Sequence, residues 1–459
     1  MVFSSISFIF FILPLFLILD GFARFLNKPI WRNSVLLGVS FLFYVWGEGN
    51  NVFLLIGIGV LNYIGGIYLE RISRPRFLLF VLVGTNLSIL FFFKYLNWVL
   101  SFFNTTSSAF SVALPLGISF FTFHAISYII DIYRKNIKPA QSLLDFLTYF
   151  CMFPHLVAGP IVRYSQVQAE LHQRVNDQSL FTFGMYRFLL GFNKKILVAN
   201  LVAPIADLAF NKHFTLNFAD AWLGAAAYTI QIYFDFSAYS DMAIGLAAMA
   251  GFRFEENFQR PYSASSIRHF WRRWHISLSS CLRDYLYIPL GGSRHGQART
   301  FFNLLLVFFL CGLWHGANMT FVIWGLWHGL FLVLERLGLE RFLNITPLFI
   351  RRFYALIVVI IGWVFFRAED IGHSLSYITT LFDPASGITM SLNYSTKAVL
   401  ALCAGIVLCL LPDKIFPNPD SHKPDSFPGI CQALQAVLFF FSLISLLGSS
   451  RNPFIYFNF

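Results

Sequence analysis

Two histidines and a band of arginines are the residues through which this sequence could do chemistry. His315 ends the run Phe301–Trp314, which contains no charged residue. An ionisable side chain at that depth in an apolar run is costly when charged, so this imidazole belongs neutral or beside water. A neutral imidazole in a tight, dry pocket can act as general base toward an alcohol. It can equally serve as a polar tie between two helices. Gly312, Gly316 and Ala317 are small enough to leave room beside the ring, and Asn318 offers a polar partner. His328 repeats the Trp-His-Gly tripeptide one span later and is the alternative to His315.

His275 stands in the most unusual stretch of the chain, Pro261–Gly292, PYSASSIRHFWRRWHISLSSCLRDYLYIPLGG. This stretch is too charged to span a membrane and too aromatic for a free loop. At helical spacing Arg268, Arg272, His275 and Ser279 fall along one face, with Trp271, Trp274, Leu278 and Leu282 largely on another. The pattern fits an amphipathic helix lying at a membrane surface. The same arginines, Arg268, Arg272, Arg273 and Arg283, are suited to the phosphates of an incoming donor. The two readings are compatible. Arg272, Arg273 and Arg283 are accordingly candidate substrate-binding residues, and His315 the candidate base.

Soluble catalytic templates are missing. There is no G-x-S-x-G elbow, H-E-x-x-H pair, Walker loop or Rossmann fingerprint. No nucleophile stands out, which favours direct base-assisted transfer over a covalent acyl-enzyme. The six cysteines, Cys151, Cys281, Cys311, Cys403, Cys409 and Cys431, are scattered without a CxxC pair. They read as small hydrophobes rather than disulfides or a metal site.

The elements that must position these groups are membrane helices. Of 459 residues, 57% are hydrophobic and only 12% charged, against roughly 45–50% and 25% in soluble domains. Apolar runs occupy 2–19, 34–46, 51–69, 77–96, 112–132, 143–162, 181–210, 219–250, 301–317, 319–338, 349–367, 396–411 and 429–448. The expectation is an all-α, polytopic protein with ten to twelve crossings in a single domain over residues 1–459. The first run reads as an anchor, because it lacks a preceding positive residue and a small-residue cleavage site. Pro115, Gly117, Pro154, Gly159 and Pro160 suggest broken or re-entrant segments.

The net charge of +11 points to lipid headgroups and topology rather than nucleic acid. Basic links carry Arg24, Lys28 and Arg32, then Arg71, Arg74 and Arg76, then Arg134, Lys135 and Lys138. The intervening links, Gly47–Asn50 and Asn97–Ser111, carry no Lys or Arg. The positive-inside rule then places the N-terminus outside and the basic links in the cytoplasm. Lys94, near the end of a span, is expected to snorkel outward. No internal repeat resembles the paired halves of a transporter.

FWRRWHISLSSCLRDYLYIPLGG, followed by LWHGAN around His315, resembles the membrane-bound O-acyltransferases, and within them the bacterial alginate O-acetyltransferase branch. The likeness extends through PLGISFFTFHAISYIIDIYR at 115–134, FPHLVAGPIVRYSQV at 153–167 and DFSAYSDMAIGLAAMAGFRFEENF at 235–258. It continues in IGWVFFRAED at 361–370 and the closing FIYFNF at 454–459. Cys281 departs from an expected aromatic, and His124 and His155 from expected glutamines; neither histidine motif is touched.

The resemblance implies that His315 matches the family's membrane-buried catalytic histidine and His275 its second signature position, making them the candidate catalytic pair, with Arg272, Arg273, Arg283, Asp284 and Asn318 the candidate substrate-binding residues. It implies a ring of tilted and re-entrant helices around a central tunnel. A cytoplasmic thioester donor, acetyl-CoA or an acyl carrier protein thioester, would meet an acceptor on the far side of the inner membrane. The expected activity is O-acetylation of an exopolysaccharide, alginate first and cellulose next. A periplasmic O-acetyltransferase and a polysaccharide synthase complex are the expected partners. D-alanyl transfer to teichoic acid, a non-catalytic permease and a recruiting scaffold are the rival readings.

Overall fold

The computed structural model describes residues 2–26, 28–103, 112–174, 176–211, 216–411 and 429–448, with Asn452, Phe454 and Ile455 near the end. Residues 104–111 of the uncharged link, and the closing FIYFNF apart from Phe454 and Ile455, lie outside the described residues. The described chain is helical, with no strand among its elements. Seven helices are long and apolar enough to cross a membrane: Phe8–Phe25, Asn51–Arg71, Pro75–Ser101, Gln178–Ala209, Gly296–His315, Met319–Asn344 and Leu348–Arg367. Ile118–Tyr133 and Thr396–Leu410 are shorter apolar helices. Phe10, Phe22, Phe77, Phe80, Phe349 and Phe353 stand exposed on these helices, as side chains facing lipid tails should.

The chain divides into two compact units. The first comprises Met1–Phe192, Tyr239–Glu256 and Pro419–Gly448, the second Asn193–Ala238, Asn257–Asn418 and Ser449–Phe459.

In the first unit, several polar groups inside the apolar helices satisfy one another. Asn62 and Asn86 exchange side-chain hydrogen bonds of 3.0 and 2.9 Å, pinning Asn51–Arg71 to Pro75–Ser101. Gly184 and Gly245 let two helices touch backbone to backbone, since a Cβ on either would sit 2.6 Å from a carbonyl oxygen of the other. Two expectations change here. Arg24 and Arg32 fold inward onto Asp20, at 2.8 and 3.0 Å, instead of facing headgroups. Lys94 is buried and donates to Ser119 Oγ at 3.0 Å rather than snorkelling outward.

The run at 143–162 is broken, as its prolines and glycine suggested. Leu143–Cys151 ends at Met152, and Phe153–Leu156 makes one further turn.

In the second unit we label four elements: α1 (Ile267–Trp271), α2 (Ile276–Leu282), α3 (Gly296–His315) and α4 (Met319–Leu334). Helices α3 and α4 form a hairpin of unusually close approach. A Cβ on Gly325 would stand 2.1 Å from Phe308 O, and one on Gly312 would stand 2.3 Å from Phe321 O. Added to Gly316, it would strike the Phe321 ring at 2.2 Å. These glycines therefore make room for the neighbouring helix, not for the His315 ring as the sequence suggested.

Candidate active site

The stretch around His275 is not one amphipathic helix. Helix α1 stops at Trp271, His275 takes a left-handed conformation with φ of 44°, and α2 begins at Ile276. The break turns His275 off the arginine face, so the expected alignment of Arg268, Arg272, His275 and Ser279 holds only without the histidine. Arg268, Arg272 and Ser279 line a cavity of about 430 Å³, while His275 is fully buried elsewhere. Helix α1 is held at its start by Glu335, the residue that follows α4, whose carboxylate accepts from the amides of Ile267 and Arg268 at 2.5 and 3.1 Å. This satisfies two of the orphan donors of a helix N-terminus.

The two candidate catalytic histidines share an aromatic neighbour. Trp314 packs its ring 6.1 Å from that of His275 and 4.9 Å from that of His315. Trp324 then lies 4.9 Å from His315 and 5.3 Å from His328. Phe366 closes the other side of His315 at 5.2 Å. His315 is the last residue of α3, and the chain continues in extended form at Gly316. A helix end frees the side chain from the crowding of a following turn while the surrounding rings hold it in place.

His275 is flanked by Phe236 at 4.8 Å and Phe258 at 6.4 Å. Its Nδ1 lies 3.1 Å from Asn257 Oδ1. Burial holds its conjugate acid far below the ordinary histidine range, at about 3, so the ring is neutral at physiological pH.

The arginines divide by role. Arg272 and Arg283 line the 430 Å³ cavity with Arg268, Arg336, Trp271 and Cys311. Cys311 is one helical turn before His315 on α3, so the cavity reaches the helix that carries the candidate base. Arg268 pairs with Glu340 at 3.0 Å and Arg283 with Asp284 at 2.7 Å. The Arg272 guanidinium has no polar partner among the described residues. It also lines a second cavity of about 170 Å³, with Ser265, Ser266 and His269. Arg273 turns away from both cavities. It donates to Gln259 O at 3.2 Å, Ser263 Oγ at 3.0 Å and His269 Nε2 at 2.7 Å. Burial and then the charge of Arg273 keep His269 below its ordinary pKa, which suits it to accept that bond.

Asn318 caps α4, its Oδ1 accepting from Thr320 N at 3.1 Å and its Nδ2 donating to Glu369 O at 2.9 Å. Arg336 and Asn257 were missed in the sequence. Arg336 carried the modest signal of a basic residue closing an apolar run. Asn257 carried none beyond being a polar residue in a quoted motif.

Buried imidazoles packed against tryptophans thus lie beside an arginine-lined cavity in a bundle of apolar helices. The chain belongs to the membrane-bound O-acyltransferase family, whose model matches residues 133–377. It is 40% identical to the probable alginate O-acetylase AlgI of Pseudomonas putida over the whole of both chains. It is 45% identical to the probable alginate O-acetylase AlgI of Pseudomonas aeruginosa, over 81% of this chain and 73% of that one. Identity to the peptidoglycan O-acetyltransferase of Helicobacter pylori is 34%, over 82% and 79% of the two chains. The protein is thus a multi-pass membrane O-acyltransferase that uses an acyl donor.

Proposed function

We propose that this protein moves acetyl groups onto hydroxyls of an exopolysaccharide, alginate in the first place, acting as one functional domain over its whole length. The observation that carries the reading is the joint packing of His275 and His315 on Trp314, beside a cavity that Arg272 and Cys311 line together. The full-length similarity to proteins named alginate O-acetylases supports the choice of polymer.

The donor is an acetyl thioester of coenzyme A or of an acyl carrier protein. Arg272, which no carboxylate among the described residues neutralises, takes a donor phosphate, and Arg268, Arg283 and Arg336 add to the field. The thioester end runs along Trp271, Phe308 and Cys311 toward His315. His315 takes the proton of the attacking hydroxyl, belonging to the sugar or to a serine of a partner protein. The hydroxyl oxygen bonds to the acyl carbon, the C–S bond breaks, and the proton goes to the departing thiolate. His275 holds the thioester end or shares the proton work. Asp284 holds Arg283 in place, and Arg273 and Asn318 support the site through their internal bonds.

The protein sits in the cytoplasmic membrane among lipids, with its N-terminus on the periplasmic side. It hands acetyl to a periplasmic O-acetyltransferase working with the polysaccharide synthase. Deleting the gene should leave polymer made but without O-acetyl groups, as measured by NMR of the purified exopolysaccharide. Polymer that keeps its acetyl content, or that is no longer secreted, would reject the reading and favour export.

A further inference from the structure

Asn257 makes contacts that determine the chemistry of His275. The asparagine lies in the irregular stretch before Pro261, is fully buried, and reaches the chain where α1 gives way to α2. Its backbone carbonyl accepts the amide of Ile276 at 3.0 Å. Its Oδ1 accepts the amide of Ser277 at 3.2 Å and the hydroxyl of Ser277 at 2.8 Å. One asparagine thereby caps the first two amides of α2, supporting a left-handed backbone at His275 that non-glycine residues seldom adopt.

The amide contact also fixes the orientation of the asparagine. A backbone N–H only donates, so the side-chain atom facing Ser277 is the oxygen, not the nitrogen. That same oxygen lies 3.1 Å from His275 Nδ1. An amide oxygen only accepts, hence Nδ1 carries the hydrogen. In a neutral imidazole the other nitrogen then holds the lone pair. His275 Nε2 is buried and has no hydrogen-bond partner among the described residues.

We propose that Asn257 is a positioning residue for the transfer reaction, holding His275 as the Nδ1–H tautomer so that Nε2 serves as a proton acceptor. This deepens the reading above and rests on His275 taking part in transfer. A neutral ring in this tautomer has no Nε2–H to donate to a thioester carbonyl, so of the two roles open to His275 it retains the proton work shared with His315. His315 takes the hydroxyl proton as oxygen bonds to the acyl carbon, Nε2 of His275 receives a proton from His315 in turn, and that proton passes to the thiolate sulfur freed when the C–S bond breaks. Asn257 Oδ1 steadies the imidazolium that forms between these events.

The test uses membranes from polymer-producing cells, given radiolabelled acetyl-CoA and assayed for label in polymer between pH 3.5 and 9. Variants Asn257→Ala, Asn257→Asp and His275→Ala are compared at equal protein abundance. Asn257→Ala should lower kcat by about 10²-fold with little change in KM, as loss of an oriented proton acceptor does. Asn257→Asp keeps an oxygen for all three donors and adds a charge that favours imidazolium. It should recover most of the rate and move the acidic limb of the profile up by roughly one to two pH units. Wild-type rates in Asn257→Ala, or an Asn257→Asp profile that superimposes on wild type while His275→Ala is inactive, would overturn the proposal. An active His275→Ala would instead reject the role given to His275 itself.

Discussion

The tripeptide Trp-His-Gly occurs twice in this chain, and its two copies are built into different settings. His315 closes α3, at the point where the backbone becomes extended, and its ring meets Trp314, Trp324 and Phe366. His328 lies within α4, stacked on Phe270 at 6.0 Å and edge-on to Trp271 at 5.3 Å. The helix Leu348–Arg367 presses on it so closely that a Cβ on Gly362 would sit 2.9 Å from its Nε2. Neither ring nitrogen of His328 has a hydrogen-bond partner among the described residues. Identical neighbours in sequence thus give one histidine at a helix end that shares a tryptophan with a second imidazole, and another that fills an aromatic core. Position in the element, not the motif, separates the candidate base from the packing residue.

The largest expected effect falls on the hairpin that carries both copies. Gly325→Ala would drive a methyl into Phe308 O, and such overpacking against backbone costs about 1–3 kcal/mol or more. The protein should fall to a small fraction of wild-type abundance on immunoblots of membranes, taking both histidines with it. Normal abundance would mean that the hairpin can open without penalty and that the contrast between its two histidines is loosely held.

Next comes the arginine band, where the same kind of separation applies. Arg272→Gln should raise the apparent KM for donor roughly tenfold at normal abundance, because a charge-assisted phosphate contact is lost. Arg273→Gln should instead lower abundance and spare KM, since Arg273 ties Gln259, Ser263 and His269 together. An exchange of the two phenotypes would reverse the assignment of the cavity.

A smaller effect concerns pH. The folded state holds His275 near pKa 3, below its ordinary value of about 6.5 when unfolded. The unfolded chain therefore binds the extra proton between those values. The stabilisation is fully present above about pH 6.5 and declines as pH falls toward 3. Thermal unfolding in detergent should weaken between pH 7.5 and 5 in wild type, and less steeply in His275→Gln. Equal slopes would show that His275 is not held neutral by burial.

Much of this was legible in the residues. The spans at 51–69 and 349–367 match Asn51–Arg71 and Leu348–Arg367, because runs of Leu, Ile, Val and Phe without charge have few alternatives in a membrane. The prolines and glycine that break 143–162 announced themselves in the same way. The site was legible as residue types but not as directions. Periodicity extended one helix through His275, since no proline or glycine marks the break. The left-handed turn there is held by Asn257, 18 positions away in sequence, and a distant cap leaves no local pattern. Gly312 and Gly316 were noticed for the right reason, space, but the space belongs to Phe321. Lys94 and Arg32 were read from their own sequence neighbourhoods, whereas Ser119 and Asp20 decide where they point.

The comparison between the two histidines is tested most directly by measuring acetyl transfer to polymer for His315→Ala and His328→Ala, each normalised to protein in the membrane. A general base contributes about 10²–10⁴-fold, so His315→Ala should lose transfer almost completely at near-normal abundance. His328→Ala should keep most of its turnover per molecule while abundance drops, as removal of a packed core ring would cause. Substantial transfer by His315→Ala at normal abundance would contradict the account and return the catalytic assignment to the other histidines.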